Sequence, residues 1–348
     1  MTKTLAVLVA SLAILATACG GGGAGGPVAT TTASQAAASA SPTARPCCTK
    51  VVAAYSNISA DDWIPWYAFE KGIFKDNGLE VDLQSINGGT QTSAALLGGS
   101  IQIGQFGGAE ALSANAGGAD LVVVANLAPV YPYKLYVQKG IKTVADLKGK
   151  TIGVSNAGGS SDIATRAALK NAGLDPDKDV LIQAVGSHAN RTLNLLNGTI
   201  DAGVDDPPED LELVKAGLTP LIDLASQKLP AANTGVIMQR SYLNANKDTV
   251  QAYVDSLVIA RAKMKADKPG AVAVLGKYFK LDNQDALNAA YDFFMNEVTQ
   301  AYPAVEVGQF KDAVEILGPK NPNIKTVDIS KMIDTTFVKS AQDRKLGG

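Results

Sequence analysis

The chain has 348 residues, in which 31 Lys and Arg are balanced by 33 Asp and Glu to give a formal net charge of −2. No basic stripe is present that could neutralise a phosphate backbone, so the sequence argues against a nucleic-acid partner. Beyond the N-terminus no apolar run approaches the roughly 20 residues that span a bilayer, and we expect membrane contact at the N-terminus alone.

Residues 1–18 have the pattern of a signal peptide, because Lys3 precedes an apolar stretch at 5–16 that is too short to span a membrane. Cys19 follows in the string LATACGGGG, which resembles the cleavage site of bacterial lipoproteins. We expect cleavage before Cys19, a lipid on its sulfur, and an extracytoplasmic, membrane-anchored protein. Ordinary secretion without lipid is the alternative. Removal of Lys3 changes the formal charge from −2 to −3.

Residues 19–49 are almost wholly Gly, Ala, Ser, Thr and Pro. Such a stretch buries too little apolar surface to offset its ordering entropy, so it is predicted to be a disordered tether that spans roughly 30 Å. Cys47 and Cys48 close the tether. They could form a vicinal disulfide, cross-link molecules or stay reduced, and we expect no functional role, since a disulfide framework needs spaced cysteines.

Strand and helix patterns alternate after the tether in two series. The first has strands at 51–55, 79–83, 101–105 and 121–125, with helices at 64–71, 90–97 and 109–115. The second has strands at 151–155, 180–184, 200–204 and 221–223, with helices at 160–171, 190–196 and 208–215. Each gap is long enough for a crossover helix, which is typical of parallel sheets covered by helices.

After one more strand at 235–239 the pattern becomes nearly all helical. A helix is predicted from residue 247, with Asn246 as its N-cap and an end at Pro269-Gly270. Its apolar residues recur at steps of three and four on one face, and they are Val250, Val254, Leu257, Val258 and Met264. Two further amphipathic helices are predicted at 286–297 and 310–317.

These late helices need a surface to cover, and the first sheet is the natural candidate. We therefore expect an α/β fold of two lobes, each a mostly parallel sheet flanked by helices. Residues 50–138 and 237–348 form lobe 1, and residues 139–236 form an inserted lobe 2. Extended connections near 134–139 and 235–239 would act as a two-strand hinge for lobe closure. One continuous three-layer domain is the alternative.

Three strings carry a resemblance to a known family. AFEKGIFKDNGLEVDL at 68–83 resembles a signature of the type-2 periplasmic binding proteins of ABC importers, in the branch that binds aliphatic sulfonates, taurine, nitrate-like anions and the pyrimidine precursor of thiamine. TVADLKGKTIGV at 143–154 is similar to the family's entry into its second lobe, and SYLNANKDTVQAYVDSLVIA at 241–260 to its return helix. The resemblance implies a monomeric solute-binding protein that hands a small molecule to an importer permease.

Open parallel sheets bind ligands at the carboxyl ends of their strands, so we expect the site between the lobes. Gly-rich turns there let the backbone approach a ligand, and helix N-termini offer free N–H groups. Trp63 is expected either to stack on a planar ligand or to cap the core. The candidate ligand-binding residues are Asn57, Ser59, Asp62, Trp63, Gly89, Thr90, Gln91, Gly107, Gly108, Asn156, Gly159, Ser160, Ser161, Ser187, Arg191 and Asp205, with Tyr131 and Tyr133 as further contributors.

The charges of these residues leave the ligand open. Arg191 and the nearby hydroxyls would suit a sulfonate or nitrate. Four acids near the same mouth would repel an anion and suit an amine or a nitrogen heterocycle, and they are Asp61, Asp62, Asp205 and Asp206. Alternatively, these acids are solvated or cap helices.

An enzyme on the same fold is an alternative to a binding protein. The eukaryotic enzyme that makes the thiamine pyrimidine resembles these proteins and relies on histidine, iron and a cysteine cluster. This chain has a single histidine, His188, and its cysteines all precede the folded body. We therefore expect no catalytic residue, no metal site and no cofactor, with His188 a hydrogen-bonding residue at the surface or in the cleft. A ligand-sensing module for a receptor is a further alternative.

Overall fold

The computed structural model describes residues 48–347. The predicted signal peptide, the lipidation site Cys19, Cys47 and nearly all of the tether lie outside the described residues. Within residues 48–347, no helix combines the length and the apolar character that crossing a membrane requires.

The predicted alternation of strands and helices is present, with element ends shifted by a few residues. The strands are β1 (Thr49–Tyr55), β2 (Leu79–Ser85), β3 (Ile103–Phe106), β4 (Leu121–Val130), β5 (Lys134–Val137), β6 (Thr151–Val154), β7 (Leu181–Ala184), β8 (Ala202–Asp205), β9 (Thr219–Asp223) and β10 (Pro230–Gln239). The helices are α1 (Trp63–Glu70), α2 (Ile73–Asp76), α3 (Gly89–Leu97), α4 (Gly108–Ala116), α5 (Ser160–Asn171), α6 (His188–Leu196), α7 (Asp210–Lys215), α8 (Arg240–Ala245), α9 (Lys247–Ala266), α10 (Lys268–Phe279), α11 (Gln284–Phe293), α12 (Lys311–Leu317), α13 (Ile329–Met332) and α14 (Thr336–Asp343).

The strands form two sheets of five strands, in the orders β2-β1-β3-β10-β4 and β7-β6-β8-β5-β9. In the first sheet β10 is antiparallel to both neighbours, and in the second sheet β5 is antiparallel to both neighbours. The other four strands of each sheet run in one direction. The predicted α/β fold with two mostly parallel sheets is therefore confirmed. Each reversed strand is the first one after the chain crosses over from the other sheet.

The chain crosses between the sheets at residues 131–133 and again at residues 224–229. The two crossings touch, because the carbonyl of Tyr133 accepts hydrogen bonds from the N–H groups of Leu224 and Ala225, at 3.0 and 3.1 Å. The two stretches expected to connect the lobes, near 134–139 and 235–239, instead contain β5 of the second sheet and the end of β10 of the first sheet. Hinge motion and the lobe boundaries stay predictions.

The late helices pack on the first sheet as expected, and the local signals around α1 show how. Gly72, with φ at 70°, follows the end of α1 in the left-handed conformation that glycine adopts without a Cβ clash. Phe74 in α2 then stacks on Tyr253 of α9, with ring centroids 4.9 Å apart. Val254 and Leu257 of α9 are buried in the same core. The apolar face predicted for this helix therefore covers the first sheet.

The end predicted for α9 is wrong in one respect. Helix α9 stops at Ala266, and Pro269-Gly270 lies in the first turn of α10, where Asp267 accepts a hydrogen bond from the N–H of Gly270 at 2.9 Å. Proline is tolerated in a first turn because its missing N–H would have no partner there. Asn246 does occupy the N-cap position of α9, but its side-chain amide donates to the carbonyl of Tyr242 at 2.9 Å.

Candidate functional site

A small cavity separates the two sheets at the carboxyl ends of β1, β2 and β3 on one side and β6 on the other. Its volume is about 40 Å³, which holds a few water molecules at roughly 10–15 Å³ each. The lining residues are Ser56, Asn57, Ser59, Asp61, Gly89, Gly107, Glu110, Tyr133, Ser155, Asn156, Gly159, Ser160, Ser161, His188, Arg191, Asn233 and Thr234.

Two glycines of the cavity leave the space that the carboxyl group of Glu110 fills. A Cβ on Gly89 would overlap Oε1 of Glu110. A Cβ on Gly107 would overlap Oε2 of Glu110 and Oγ of Ser160. A side chain at either position would require Glu110 to move. The Gly-rich turns therefore close on Glu110 in this structure.

Glu110 is close to elements of both sheets. It lies in the first turn of α4, and a Cβ on Gly107 would overlap both its carboxyl and the hydroxyl of Ser160, the first residue of α5. Burial raises the pKa of Glu110 to about 7, and the backbone N–H groups of Glu110 and Ser160 oppose that rise. Among the described residues, Oε2 has no hydrogen-bond partner. A carboxyl group thus occupies a helix start that favours negative charge.

Arg191 is a buried cation without a carboxylate partner. Only 2 % of it is exposed; its Nε donates to the carbonyl of Val204 and its Nη1 to Oγ of Ser155 at 2.6 Å. Within residues 48–347 it forms no ion pair, whereas Arg166 pairs with Asp162 at 2.6 Å. A buried guanidinium without a counter-charge is costly. Because it lines the cavity, Arg191 is the strongest candidate to contact an acceptor group of a solute.

Strand β10 brings a second polar group to the cavity. Asp61, in the loop after β1, accepts hydrogen bonds from Nδ2 of Asn233 at 2.8 Å and from the hydroxyl of Thr234. The hydroxyl of Ser160 donates to the carbonyl of Asn233 at 3.0 Å, which joins α5 to the first sheet. Side chains and backbone from both sheets therefore meet around the same small volume.

His188 reaches the cavity from the start of α6 and pairs with acids at the end of β8. Its Nε2 lies 2.5 Å from Oδ1 of Asp205 and 3.2 Å from Oδ1 of Asp206. Burial lowers the pKa of His188, but the carboxylates of Asp205 and Asp206 outweigh burial and raise it to about 10. The imidazole is consequently held as a cation at neutral pH.

The structure brings nine of the sixteen candidate residues to the cavity wall. They are Asn57, Ser59, Gly89, Gly107, Asn156, Gly159, Ser160, Ser161 and Arg191. The other seven lie elsewhere, namely Asp62, Trp63, Thr90, Gln91, Gly108, Ser187 and Asp205. Position in a loop does not by itself decide the outcome, since Arg191 within α6 lines the cavity whereas Ser187 before the same helix does not.

Trp63 and Asp62 are corrections to the expected site, because both are buried in the first lobe away from the cavity. The indole N–H of Trp63 donates to the carbonyl of Ala271 at 3.2 Å, and its ring packs edge-on against Tyr291 at 5.7 Å. Burial raises the pKa of Asp62 well above its usual range, and the neighbouring charge of Asp61 adds to that rise. Trp63 was expected either to stack on a ligand or to cap the core, and in the structure it packs in the core.

The remaining five residues also have structural positions. The space around Gly108 is filled by Ala232 and Phe310. Ser187 caps α6 by accepting a hydrogen bond from the N–H of Asn190 at 3.2 Å, and Asp205 lies behind His188. Thr90 and Gln91 are exposed at the start of α3. Of the two tyrosines near the crossing, Tyr133 lines the cavity and Tyr131 does not.

Several cavity residues were missing from the expected set. They are Glu110, Asn233, Thr234, Ser56 and Ser155. The wall is completed by Asp61, Tyr133 and His188, which the sequence analysis named near the cleft but outside the set of sixteen. Glu110 was not expected in the cavity because an acid in a first helical turn is normally explained by the helix dipole. Asn233 and Thr234 lie just before the strand that was predicted to start at 235. Extending that predicted strand by two residues toward the N-terminus would have included them.

The NMT1/THI5-like family model matches residues 63–272, which is 210 of the 348 residues. The chain belongs to the NMT1/THI5-like family. The matched stretch runs from α1 through the whole second sheet into α10, so it contains most of the cavity wall. The resemblance noted in the sequence is confirmed.

Relatives of this NMT1/THI5-like chain are binding proteins with different solutes in their names. It is 26% identical over 277 residues to the riboflavin-binding protein RibY of Chloroflexus aurantiacus, which covers 75% of this chain and 78% of RibY. The alkanesulfonate-binding protein SsuA of Xanthomonas axonopodis, bound to MOPS, superposes with a TM-score of 0.70 at 21% identity, over 82% of this chain and 98% of SsuA. The periplasmic nitrate-binding protein NrtA of Synechocystis superposes with a TM-score of 0.70 at 15% identity, over 85% and 89% of the two chains. At these identities the structural likeness establishes the shared fold.

Proposed function

We propose that this protein is an extracytoplasmic solute-binding protein, anchored by a lipid on Cys19, that captures a small molecule between two lobes and delivers it to the permease of an ABC importer. It acts as a monomer and without catalysis. The binding-protein names of its relatives and the signal-like N-terminus support this role. Sensing through a receptor would use the same closed state.

The observation that carries the proposal is the cavity. Polar groups from both sheets converge on it, yet its volume of about 40 Å³ admits only water. Residues 131–133 and 224–229 are the two links between the sheets, so a small change of backbone angles there would open the cleft. A solute would bias the equilibrium toward closure by its higher affinity for the closed form.

Arg191 limits the chemistry of the solute. A buried guanidinium with two neutral acceptors and no carboxylate is stabilised by an acceptor-rich group on the ligand. We therefore expect the solute to present an anionic group or a polar carbonyl edge to Arg191. The N–H of Ser160, which now favours the ionised form of Glu110, would serve the same group once Glu110 moves aside.

Thermal unfolding across a panel of solutes tests the proposal. The panel contains riboflavin, sulfonates, nitrate, pyrimidines, amines and aromatic acids. A solute at 100 times its dissociation constant should add about 2.7 kcal/mol of stability. Arg191→Met should abolish the shift, and Arg240→Met, which removes an arginine that pairs with Asp120 outside the cavity, should retain it. No shift with any solute, or equal shifts in both variants, would count against a cleft-binding role.

A further inference from the structure

A second cluster of polar groups lies beside the solute cavity and has no role in the proposed function. His188 begins α6, Asp206 follows β8, and Glu209 precedes α7. One ligand atom from each of these three residues lies within 4.8 Å of the others. Asp205, at the end of β8, is 2.5 Å from the same imidazole nitrogen. Three carboxyl groups thus surround one imidazole.

Two carboxyl groups of this cluster, those of Asp206 and Glu209, have oxygens that the protein leaves without a hydrogen bond, whereas Asp205 is bonded to His188, Thr192 and the N–H of Asp206. Asp206 is fully buried, and within residues 48–347 neither of its oxygens has a hydrogen-bond partner. Oε2 of Glu209 is likewise buried and without a hydrogen bond in the described chain. His188 is the sole cationic side chain of the described residues that lies within ion-pair distance of Asp205 or Asp206. Buried carboxylates in this state are strongly destabilised unless a cation is nearby.

We infer that His188, Asp206 and Glu209 bind a divalent transition-metal ion. Zinc–nitrogen and zinc–oxygen bonds of roughly 2.0–2.2 Å in a tetrahedron place neighbouring ligand atoms about 3.3–3.6 Å apart. The distance of 3.2 Å between Nε2 of His188 and Oδ1 of Asp206 is close to that edge. Glu209, whose ligand atom lies within 4.8 Å of the other two, would have to move closer to reach the same spacing, and a water molecule would supply the fourth ligand.

The ligand set favours a transition metal over calcium or magnesium. An imidazole nitrogen with a few carboxylates suits zinc and its neighbours, whereas calcium and magnesium prefer six or more oxygen ligands. On binding, Nε2 of His188 bonds to the metal and its proton leaves to solvent. No other co-reactant is required.

An ion can reach the cluster from two sides. His188 lines the solute cavity. Glu209 lines a separate surface cavity of about 450 Å³, together with Ile58, Pro208 and Tyr278. The metal would fix the end of β8 against α6 and α7, next to the place where a solute binds. Metal binding is measured without any solute, so its failure would leave the proposed transport function intact.

Titration of the full chain with Zn²⁺ tests the site, after dialysis against a chelator and alkylation of the cysteines, which bind zinc themselves. Isothermal titration should show one Zn²⁺ per chain, and saturating Zn²⁺ should raise the melting temperature by about 5 °C. His188→Gln and Asp206→Asn should each weaken binding by at least about 100-fold, as expected for direct metal ligands. Mg²⁺ should give neither signal.

Two further variants distinguish the loss of a metal ligand from misfolding of the protein. Glu209→Gln changes a half-buried residue and should weaken Zn²⁺ binding by at least about 10-fold while keeping the far-UV circular dichroism of the parent. Glu315→Gln, at an exposed position of α12 outside both cavities, is the control and should bind as the parent does. Absence of saturable Zn²⁺ binding, or equal binding in all four variants, would overturn the inference.

Discussion

The hydroxyl of Ser160, the residue at which α5 begins, donates a hydrogen bond to the carbonyl of Asn233 in β10 at 3.0 Å. Helix α5 follows a strand of the second sheet and β10 belongs to the first, so this bond crosses the cleft. Gly89 and Gly107 leave the space that the carboxyl of Glu110 fills beside Ser160. Glu110 therefore occupies the place where a solute would otherwise bind.

Glu110 should make the stability of the protein depend on pH. The pKa of its carboxyl is about 7 in the folded chain and about 4.3 in an unfolded one. Between these values the folded chain keeps a proton that the unfolded chain has released, so the free energy of unfolding falls as pH rises through this window. Relative to wild type, Glu110→Gln should gain up to about 3 kcal/mol between pH 5 and pH 8.

Urea unfolding of both proteins at the two pH values measures this difference. The exposed Glu315→Gln in α12 is the control and should track wild type. A constant offset between wild type and Glu110→Gln across the whole range would mean that Glu110 does not titrate there.

Gly89 and Glu110 should be energetically coupled. Gly89→Ala places a Cβ that overlaps Oε1 of Glu110, and we expect it to destabilise the protein by about 1–3 kcal/mol. In the background of Glu110→Ala the same change should be neutral or slightly stabilising, because alanine is the better helix former. Chemical denaturation of the four proteins gives the coupling energy, which should exceed about 1 kcal/mol.

Gly308→Ala is the matched control for the cycle, since a Cβ there meets nothing within 4 Å. It should show no coupling to Glu110. Equal destabilisation by Gly89→Ala with and without the Glu110 side chain would show that the two residues do not compete for space.

Arg191 and Arg166 should respond differently to replacement in the absence of solute. Arg191→Met removes a buried charge that has no counter-charge, so the free energy of unfolding should change by less than about 2 kcal/mol. Arg166→Met leaves the buried carboxylate of Asp162 without its partner at 2.6 Å and should cost about 3 kcal/mol. Urea unfolding without ligand compares them, and a larger loss for Arg191→Met would assign that residue a structural role.

Trp63 should behave as a core residue. Trp63→Ala removes a side chain that is 1 % exposed and leaves the carbonyl of Ala271 without its donor, so we expect a loss of about 3–5 kcal/mol. Trp63→Phe should keep most of the stability and bind any solute of the panel with unchanged affinity. Loss of solute binding in a well-folded Trp63→Phe variant would show that Trp63 belongs to the binding site.

Much of the fold follows from local pattern in the sequence. Helix α5 begins and ends at the predicted residues, 160 and 171, because Gly159 precedes it and its apolar residues recur at helical spacing. The position of β10 between β3 and β4 was not predictable in this way. Its pairing joins residues that are about a hundred positions apart, and no local periodicity records such a partner.

The candidate site was predictable where a backbone turn defines it and not where distant side chains meet. Gly107 and Gly159 are recognisable as turns before helices, and both line the cavity. His188 and Asp206 are separated by 18 positions, and the sequence gives no sign that Nε2 and Oδ1 come within 3.2 Å. The expectation that His188 forms hydrogen bonds at the surface or in the cleft agrees with its bond to Asp205 and its place in the cavity wall.

The distance between the lobes, with and without solute, tests the central claim most directly. Spin labels at exposed Thr90 in α3 and exposed Asn197 after α6 report this distance by pulsed electron resonance, in a background where the native cysteines are Ser. The account predicts a broad or longer distribution without solute and a single shorter distance once the solute that stabilises the protein in the thermal panel is added. A second pair at Lys148 and Asn197, both in the second lobe, should not change. The same Thr90–Asn197 distribution in both conditions would contradict capture of a solute by lobe closure.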